Sequence, residues 1–548
     1  MATEYGTGTP PRATTAAEQG AETPPRADTA TEYGTTAPPP RPTRGRIVML
    51  VDNGVHGDSR VQKEARSAAE SGWDVVLLGR ARGKKGETWQ IGSAEVRLIP
   101  VPGPMARRRH EYRRAVLRSP LAYRPGPLAE YRRQRVKAWR ADLSIRLILA
   151  RQEGSAPARL WLTVPRLTAR LTYPWVKLRH RRTRALDKRR KEMDAPLDRF
   201  TTAFWLRTMG DRSWRRLDPH LWDIELAFGK VVDALEPDII HANDFRMLGV
   251  GARAKLRAGA RGRDVRLVWD AHEYLPGIKP WSPHPRWHVA QCGHEREYAR
   301  HADAVTTVSE TLAHMLQERH GLGERPTVVL NAPEAEIPSE QAGEPVPDLR
   351  ELCGVGPGVP LAVYSGSAAP QRGLDIMVES LPLLPEVHTA FVVLNPESGY
   401  LRSLRARAEE LGVDGRLHMV PYVPHYQVAR FLSAADVGVI PIHHWPNHEI
   451  ALITKFFEYS HARLPLVVSD VRTMGATVTR TGQGEVFRAE DLEDYVRAVK
   501  SVLGDAERYR AAYDAPGLLD TWTWEAQAEV LDGVYARLAA ERAPGTRA

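Results

Sequence analysis

The sequence predicts an α/β protein built on two doubly wound parallel sheets, and three observations carry that prediction. A strand–loop–helix–strand unit opens the apolar part of the chain between Arg46 and Leu78. A second unit of the same kind starts at Pro360, after a stretch rich in Glu and Pro. Near the far end, the apolar run Val437–Pro441 leads through a polar loop into one helix, and the run Leu464–Val468 follows. Alternation of strand and helix at this spacing is the mark of parallel sheets with helices on both faces. At 548 residues the chain is also too long for a single core.

Composition narrows the class. Apolar residues make up 42% of the chain, enough for substantial cores. The two cysteines, Cys292 and Cys353, exclude a disulfide scaffold and show no metal-ligand spacing. The start Met1-Ala2-Thr3-Glu4 lacks a basic region followed by an apolar run, and no apolar stretch reaches the length of a membrane span. The expectation is a soluble cytoplasmic protein. The net charge of +10 is uneven: residues 101–200 carry 27 Lys/Arg against 8 Asp/Glu, a net of +19, so the remainder is acidic. Basicity belongs to one region, and arguments about partners attach there.

Taken in order, residues 1–45 hold little to bury and repeat Thr-Glu-Tyr-Gly-Thr at residues 3–7 and 31–35, which predicts a disordered tail. Residues 46–333 read as a first α/β domain. Its first strand, Arg46–Val51, runs into a polar loop with Gly54 and Gly57, whose glycines permit close approach of a ligand. A helix follows to Glu70 with Val61, Ala65, Ala68 and Ala69 inward, and the next strand starts at Trp73. Later strands end in polar tips: His241/Asp244, His272/Glu273 and Ser309/Glu310, the serine capping a helix near Thr311. If these strands are parallel, the tips line one crevice. His272, between Asp270 and Glu273, is the best acid–base or sugar-contact candidate among them.

Residues 104–200 interrupt the rhythm. Apolar residues recur at helical spacing at Val136, Trp139, Leu143 and Leu147 and at Trp161, Val164, Leu171 and Trp175, with arginines between. Three readings compete: a helical insertion with a solvated basic face, a surface for anionic lipid or a lipid-linked substrate, and nucleic acid. No nucleic-acid module is recognisable, so nucleic acid is not the expected partner.

Residues 334–347 read as a linker and 348–515 as a second α/β domain, with 516–548 a closing helix and tail. In the second domain the strand ending at Ser365-Gly366 leads through Arg372-Gly373 into a helix, where an arginine is placed to meet phosphate. The loop Asn447–Ile453 feeds a helix bearing Lys455 and Glu458 one turn apart at the carboxyl edge of the sheet, where open α/β sheets bind ligands. A cation, a carboxylate and free helix N–H groups suit a phosphate joined to a sugar hydroxyl. A solvated helix start with an ion pair is the plainer alternative.

Five motifs in the same order carry a family resemblance: Asp58–Ala65, His241–Asp244, Asp270–Tyr274, Ala302–Glu310 and Lys455–Tyr459. Over about residues 46–100 and 220–540 the chain resembles the family-four retaining glycosyltransferases of the GT-B fold. The resemblance implies two Rossmann-like domains facing a cleft, with the basic helical insertion in the first. It implies a nucleoside-diphosphate sugar as donor substrate, no tightly bound cofactor and no metal required for catalysis.

By position, the resemblance assigns Glu458 to the ribose hydroxyls and Lys455 and Arg372 to the diphosphate. Gly366 lies at the donor loop, and Gly54 and Gly57 face the phosphates and acceptor. His272 is assigned to the donor sugar. Two departures stand out. Exact spacing puts Ile450 at the first position of the family's Glu-x7-Glu motif, with Glu449 one residue off; and Ser365-Gly366 replaces the Gly-Arg of many members. The expectation is that Glu449 takes the missing carboxylate's catalytic place through a shifted turn.

The expected reaction is transfer of a sugar to an acceptor hydroxyl with retention of anomeric configuration, in cell-surface polysaccharide or glycolipid synthesis. The enzyme would be cytoplasmic, or peripheral on the inner face of the membrane. The acceptor stays open between a lipid-linked saccharide, a polysaccharide and a small natural product. A sugar-nucleotide epimerase, which would convert donor alone, and a non-catalytic scaffold, which would consume none, are the alternatives from other classes.

Overall fold

The computed structural model describes residues 44–103, 105, 119–124, 127–192, 196–278, 285–335, 343–450 and 452–542. The predicted tail up to residue 43 and most of the predicted linker, residues 336–342, lie outside them.

The first sheet has eight strands in the order β3-β4-β2-β1-β5-β6-β7-β8. They are β1 (Arg46–Leu50), β2 (Asp74–Ala81), β3 (Thr88–Ile91), β4 (Ala94–Pro100), β5 (Ile239–Asn243), β6 (Arg266–Ala271), β7 (Ala304–Thr307) and β8 (Thr327–Val328). Every pairing is parallel except β3 with β4. The central strands are buried on both faces, which is why they read as unbroken apolar runs rather than alternating ones.

The second sheet has six parallel strands in the order β11-β10-β9-β12-β13-β14. They are β9 (Leu361–Ser365), β10 (His388–Val393), β11 (Leu417–Pro421), β12 (Val437–Ile440), β13 (Leu466–Ser469) and β14 (Gly484–Phe487). The strand order reverses between β9 and β12, and the loops after both strands carry the donor-side candidates. Such a switch point opens a crevice at the carboxyl ends of the strands.

The two sheets present these ends to each other. The amide of Tyr274, just after β6, donates to Asn447 Oδ1 at 3.0 Å. Thr311 and Thr473 share a hydroxyl contact at 3.0 Å, and Asn331 Nδ2 donates to Thr454 Oγ1 at 3.2 Å. Ser309, which caps the helix Glu310–His320 through the Leu312 amide, also donates to the Ile450 carbonyl. The Ile450 side chain is buried within the core of the first domain.

The closing helix Trp524–Ala540 does not stay with the domain that precedes it. Trp522 packs against Phe456 and Phe457 of the second domain. Trp524, Leu531, Val534, Tyr535 and Leu538 join the core on one face of the first sheet. Asp532 ties the helix to Arg44 and to the Trp73 indole at 2.7 and 2.8 Å. The chain therefore crosses between the domains twice, once in each direction.

Within the insertion, helices Leu128–Gln152 and Thr163–Glu192 pack chiefly on each other. Val136, Leu143 and Leu147 are buried there, whereas Trp161, Val164, Leu171 and Trp175, which share their helical spacing, are exposed.

Candidate active site

On the second domain, β9 runs directly into Gly366, whose φ of +118° suits glycine, and a Cβ there would stand 3.2 Å from Lys455 Nζ. Lys455 enters from the first turn of the helix Thr454–His461, with its ammonium 3.8 Å from the Tyr364 ring centroid. The Tyr459 hydroxyl, one turn on, accepts from the Ser365 amide at 2.7 Å and locks strand to helix.

Gly373 has a φ of +67°, and its Cβ would fall 2.0 Å from the Pro441 carbonyl oxygen. The short turn Pro370–Arg372 is thereby drawn against the end of β12. Arg372 lies near enough to act on Lys455: burial, then the Arg372 charge, hold the Lys455 ammonium well below its ordinary pKa. Glu458 is shifted up by burial, against the pull of Lys455 and Lys63. A desolvated lysine held down by a neighbouring arginine, beside a desolvated carboxylate, forms a site whose electrostatic strain a bound anion relieves. Among the described residues no ion pair joins Lys455 to Glu458; the ammonium lies over Tyr364 instead.

Gly366, Arg372, Lys455 and Glu458 are thus brought together. Glu449 is engaged elsewhere. Its carboxylate accepts from the Arg472 amide at 2.7 Å, at the start of the helix Arg472–Thr481, and meets His444 Nδ1 at 2.6 Å. Its carbonyl accepts from the Thr473 hydroxyl at 2.8 Å. With Ile450 buried in the opposite domain, the loop before Lys455 is pinned on both sides.

The first domain contributes a buried charge network that the sequence reading did not assemble. Arg60, on the helix Ser59–Glu70, gives Asp270 two hydrogen bonds, of 2.9 and 3.0 Å. Thr306 donates to Asp270 at 2.9 Å, and His272 Nε2 lies 2.5 Å from it. Burial alone would lower the His272 pKa; the Asp270 carboxylate outweighs that and lifts it to about 9. Asp270 is held well below the carboxylate range: burial opposes this, and Arg60 and His272 prevail. Glu64 is pushed well above the carboxylate range by burial and by Asp270, against the pull of Arg60 2.9 Å away.

Glu64, Asp270 and His272 are close enough to share a cation. Arg60 already supplies that charge with matched hydrogen bonds, so a metal would have to displace it. His241 is fully buried in β5; its Nδ1 meets the Tyr535 hydroxyl of the closing helix at 2.5 Å, and its Nε2 lies 3.7 Å from Glu64 and 3.9 Å from Asp270. Asp244, next along, has a φ of +69°, uncommon for a residue with a Cβ, and burial raises its carboxyl to about 6 beside His272. Lys63 faces Glu458 across the domains, stacks over Trp524 at 4.7 Å, donates to the Ala332 carbonyl, and is lowered to about 8 chiefly by burial.

Gly54 lines a cavity of about 500 Å³ in the first domain, together with Asn53, His220, Gln291 and the charged group Asp52, Arg80, Arg82 and Arg246. Asp52 pairs with Arg80 at 2.9 Å and Arg246 at 3.2 Å, so the lining keeps a net positive charge. Gly57, at φ +84°, has open space around it.

Comparison with known proteins now decides the class. The family model described as Glycosyltransferase Family 4 matches residues 208–334, and that described as Glycosyl transferases group 1 matches residues 354–515. The chain is related to the GT-B glycosyltransferases. It is 28% identical over 198 residues to a D-inositol 3-phosphate glycosyltransferase of Xylanimonas cellulosilytica, covering 35% of this chain and 46% of that one. It is 27% identical over 320 residues to the GDP-mannose-dependent alpha-(1-6)-phosphatidylinositol monomannoside mannosyltransferase of Mycolicibacterium smegmatis, covering 54% and 78%. The chain spans about half the length of the D-inositol 3-phosphate glycosyltransferases of X. cellulosilytica and Nocardia farcinica, 46% and 55%.

Among solved structures, sucrose-phosphate synthase from Thermosynechococcus elongatus superposes with a TM-score of 0.56 at 15% identity, covering 91% of this chain and 100% of that one. The E. coli trehalose-6-phosphate structure with UDP-2-fluoro glucose gives 0.53 at 13%, with the same coverage. These likenesses establish the GT-B architecture, two Rossmann-like domains about a cleft.

Proposed function

We propose that the protein is a retaining glycosyltransferase that takes a nucleoside-diphosphate sugar on its second domain and an acceptor on its first. The observation that carries this reading is the pairing of Arg372 with a desolvated Lys455 against Gly366, at the switch point of the second sheet. Cleaving the donor's anomeric bond builds oxocarbenium character on the sugar and negative charge on the departing diphosphate. Arg372, Lys455 and the amides opening the helix Thr454–His461 stabilise that charge where water is scarce. Burial and the Arg372 charge destabilise the Lys455 ammonium, and the developing negative charge relieves that, which ties its depressed pKa to the chemistry.

On the opposite side, His272 is an imidazolium at neutral pH, and both its ring nitrogens are donors. Asp270 takes Nε2–H and leaves Nδ1–H for a sugar oxygen. Asp270, Arg60 and Thr306 fix that ring, so the first domain offers a pre-oriented donor. Asp244 beside it, strained and raised to about 6, is the candidate to accept a proton from the attacking hydroxyl.

The positively lined cavity at Gly54 favours an acceptor bearing an anionic group. The names of two relatives, one acting on D-inositol 3-phosphate and one on a phosphatidylinositol monomannoside, support a phosphorylated acceptor of saccharide or lipid-linked kind.

The test is calorimetric binding of UDP, GDP, ADP and TDP to the wild type and to Arg372→Ala/Lys455→Ala. One diphosphate should bind tightly and be lost in the variant. Turnover of its sugars with phosphorylated acceptors, read by NMR, should then give product of unchanged anomeric configuration. No binding by any diphosphate, or donor consumption with no acceptor present, would overturn the reading.

A further inference from the structure

The insertion's two helices form an antiparallel pair. Glu130 meets His180 at 2.7 Å, and Arg140 lies 4.5 Å from the Tyr173 ring, so residue numbers rise on one helix as they fall on the other. Their contact is a heptad seam. Ala129, Val136, Leu143 and Ala150 are buried at intervals of seven on one helix, and Ala169, Val176 and Thr183 at the same interval on the other. The seam satisfies the pair without the rest of the apolar residues.

Those residues make a second row. Val164, Leu167, Leu171, Trp175 and Leu178 recur every three or four residues along Thr163–Glu192 and remain exposed. Exposure is greatest at the tip, where Leu160 and Trp161 are 76% and 82% accessible and Val164 70%. A continuous apolar row of this kind on a protein surface marks a contact site.

The charge around it says what it contacts. From residue 154 to residue 186 there are eight Lys/Arg and no Asp or Glu. A second copy of the chain would bring its own unbalanced cations against these. Apolar side chains with tryptophans, flanked by arginines and free of acids, instead match the boundary of an anionic bilayer, where the apolar row enters the acyl region and the guanidiniums meet headgroup phosphates. We propose that this hairpin docks the protein on an anionic membrane surface, tip first, with Leu160, Trp161 and Val164 entering the interface and Arg159, Arg166 and Arg170 binding headgroups. The arrangement is monotopic: no described helix is long and apolar enough to cross a bilayer.

Flotation of the full-length protein with phosphatidylcholine vesicles, with and without phosphatidylglycerol, tests this. Binding should require phosphatidylglycerol and fall steeply with salt. Leu160→Ser/Trp161→Ser/Val164→Ser and Arg166→Gln/Arg170→Gln should each weaken partitioning by about tenfold or more. Both variants should bind nucleoside diphosphates as the wild type does, which separates failure of docking from failure of the donor site. Equal partitioning with and without phosphatidylglycerol, or wild-type binding by either variant, would overturn the proposal. So would a self-association in sedimentation, or a nucleic-acid complex, that the serine substitutions abolish.

Discussion

Gly373→Ala offers a sharp test of how the donor loop is built, because Gly412 provides a matched control. Both glycines have a φ of +67°, so an alanine at either meets the same left-handed penalty of about 1–2 kcal/mol. At Gly412 a Cβ has nothing within 4 Å; at Gly373 it would fall 2.0 Å from the backbone oxygen of Pro441 and 3.0 Å from His443 Nε2. Backbone cannot swing aside as a side chain can, so the Arg372 turn must lift off the end of β12. Overpacking of this kind adds about 1–3 kcal/mol.

Gly412→Ala should therefore lower the melting point of the second domain by about 2–4 °C per kcal/mol and leave diphosphate affinity unchanged. Gly373→Ala should lower it further and weaken diphosphate binding by more than about tenfold, since displacing Arg372 removes at least the about 1.4 kcal/mol that a decade represents. Differential scanning fluorimetry and calorimetry on the three proteins measure both quantities. Equal melting points for the two variants, with wild-type diphosphate affinity in Gly373→Ala, would refute the claim that this glycine draws Arg372 into the site.

Three further predictions concern the charged groups. Arg60→Met should cost about 3–5 kcal/mol by leaving Asp270 buried without its cation, whereas Glu64→Gln, at a carboxyl whose charged form burial and Asp270 already disfavour, should stay within about 1 kcal/mol; chemical denaturation distinguishes them. His272 titrates near 9 in the folded chain and near 6.5 unfolded, so its stabilisation is complete below about pH 6.5 and lost as pH rises through about 9. Stability should fall across that window by up to about 3 kcal/mol, and His272→Ala should flatten the profile. Diphosphate binding should take up a proton through Lys455, seen as heats that vary with the ionisation enthalpy of the buffer; Lys455→Met should abolish that dependence while its ordinary pKa of 10.5 lies above the assay pH.

What was legible in the sequence follows the range of the interactions. The doubly wound sheets were readable because strands covered on both faces must be apolar throughout. The edge strand β3 was not, since Thr88–Ile91 is short and mostly exposed. On the donor side Gly366, Arg372, Lys455 and Glu458 lie on loops and helix starts at strand ends, where local pattern already implies a ligand. The network on the first domain escaped notice because its members are joined by the fold alone: Arg60 and Asp270 are 210 residues apart. The helix pattern put Val61, Ala65 and Ala68–Ala69 inward, but Arg60, Lys63 and Glu64 are buried as well. A charged residue on a helix is ordinarily solvated, and nothing local marks the exception.

Ile450 shows the same limit from the other direction. The spacing that resembles a carboxylate motif holds an apolar residue because that position plugs the core of the opposite domain, while Glu449 caps the helix Arg472–Thr481. In the insertion, Val136 and Val164 belong to rows of identical period, yet one is buried and the other 70% exposed. Periodicity identifies an apolar face; it does not say whether the chain supplies the partner. Where the described residues supply none and the flanks carry cations without acids, the partner we propose is apolar and anionic at once, as a bilayer surface is.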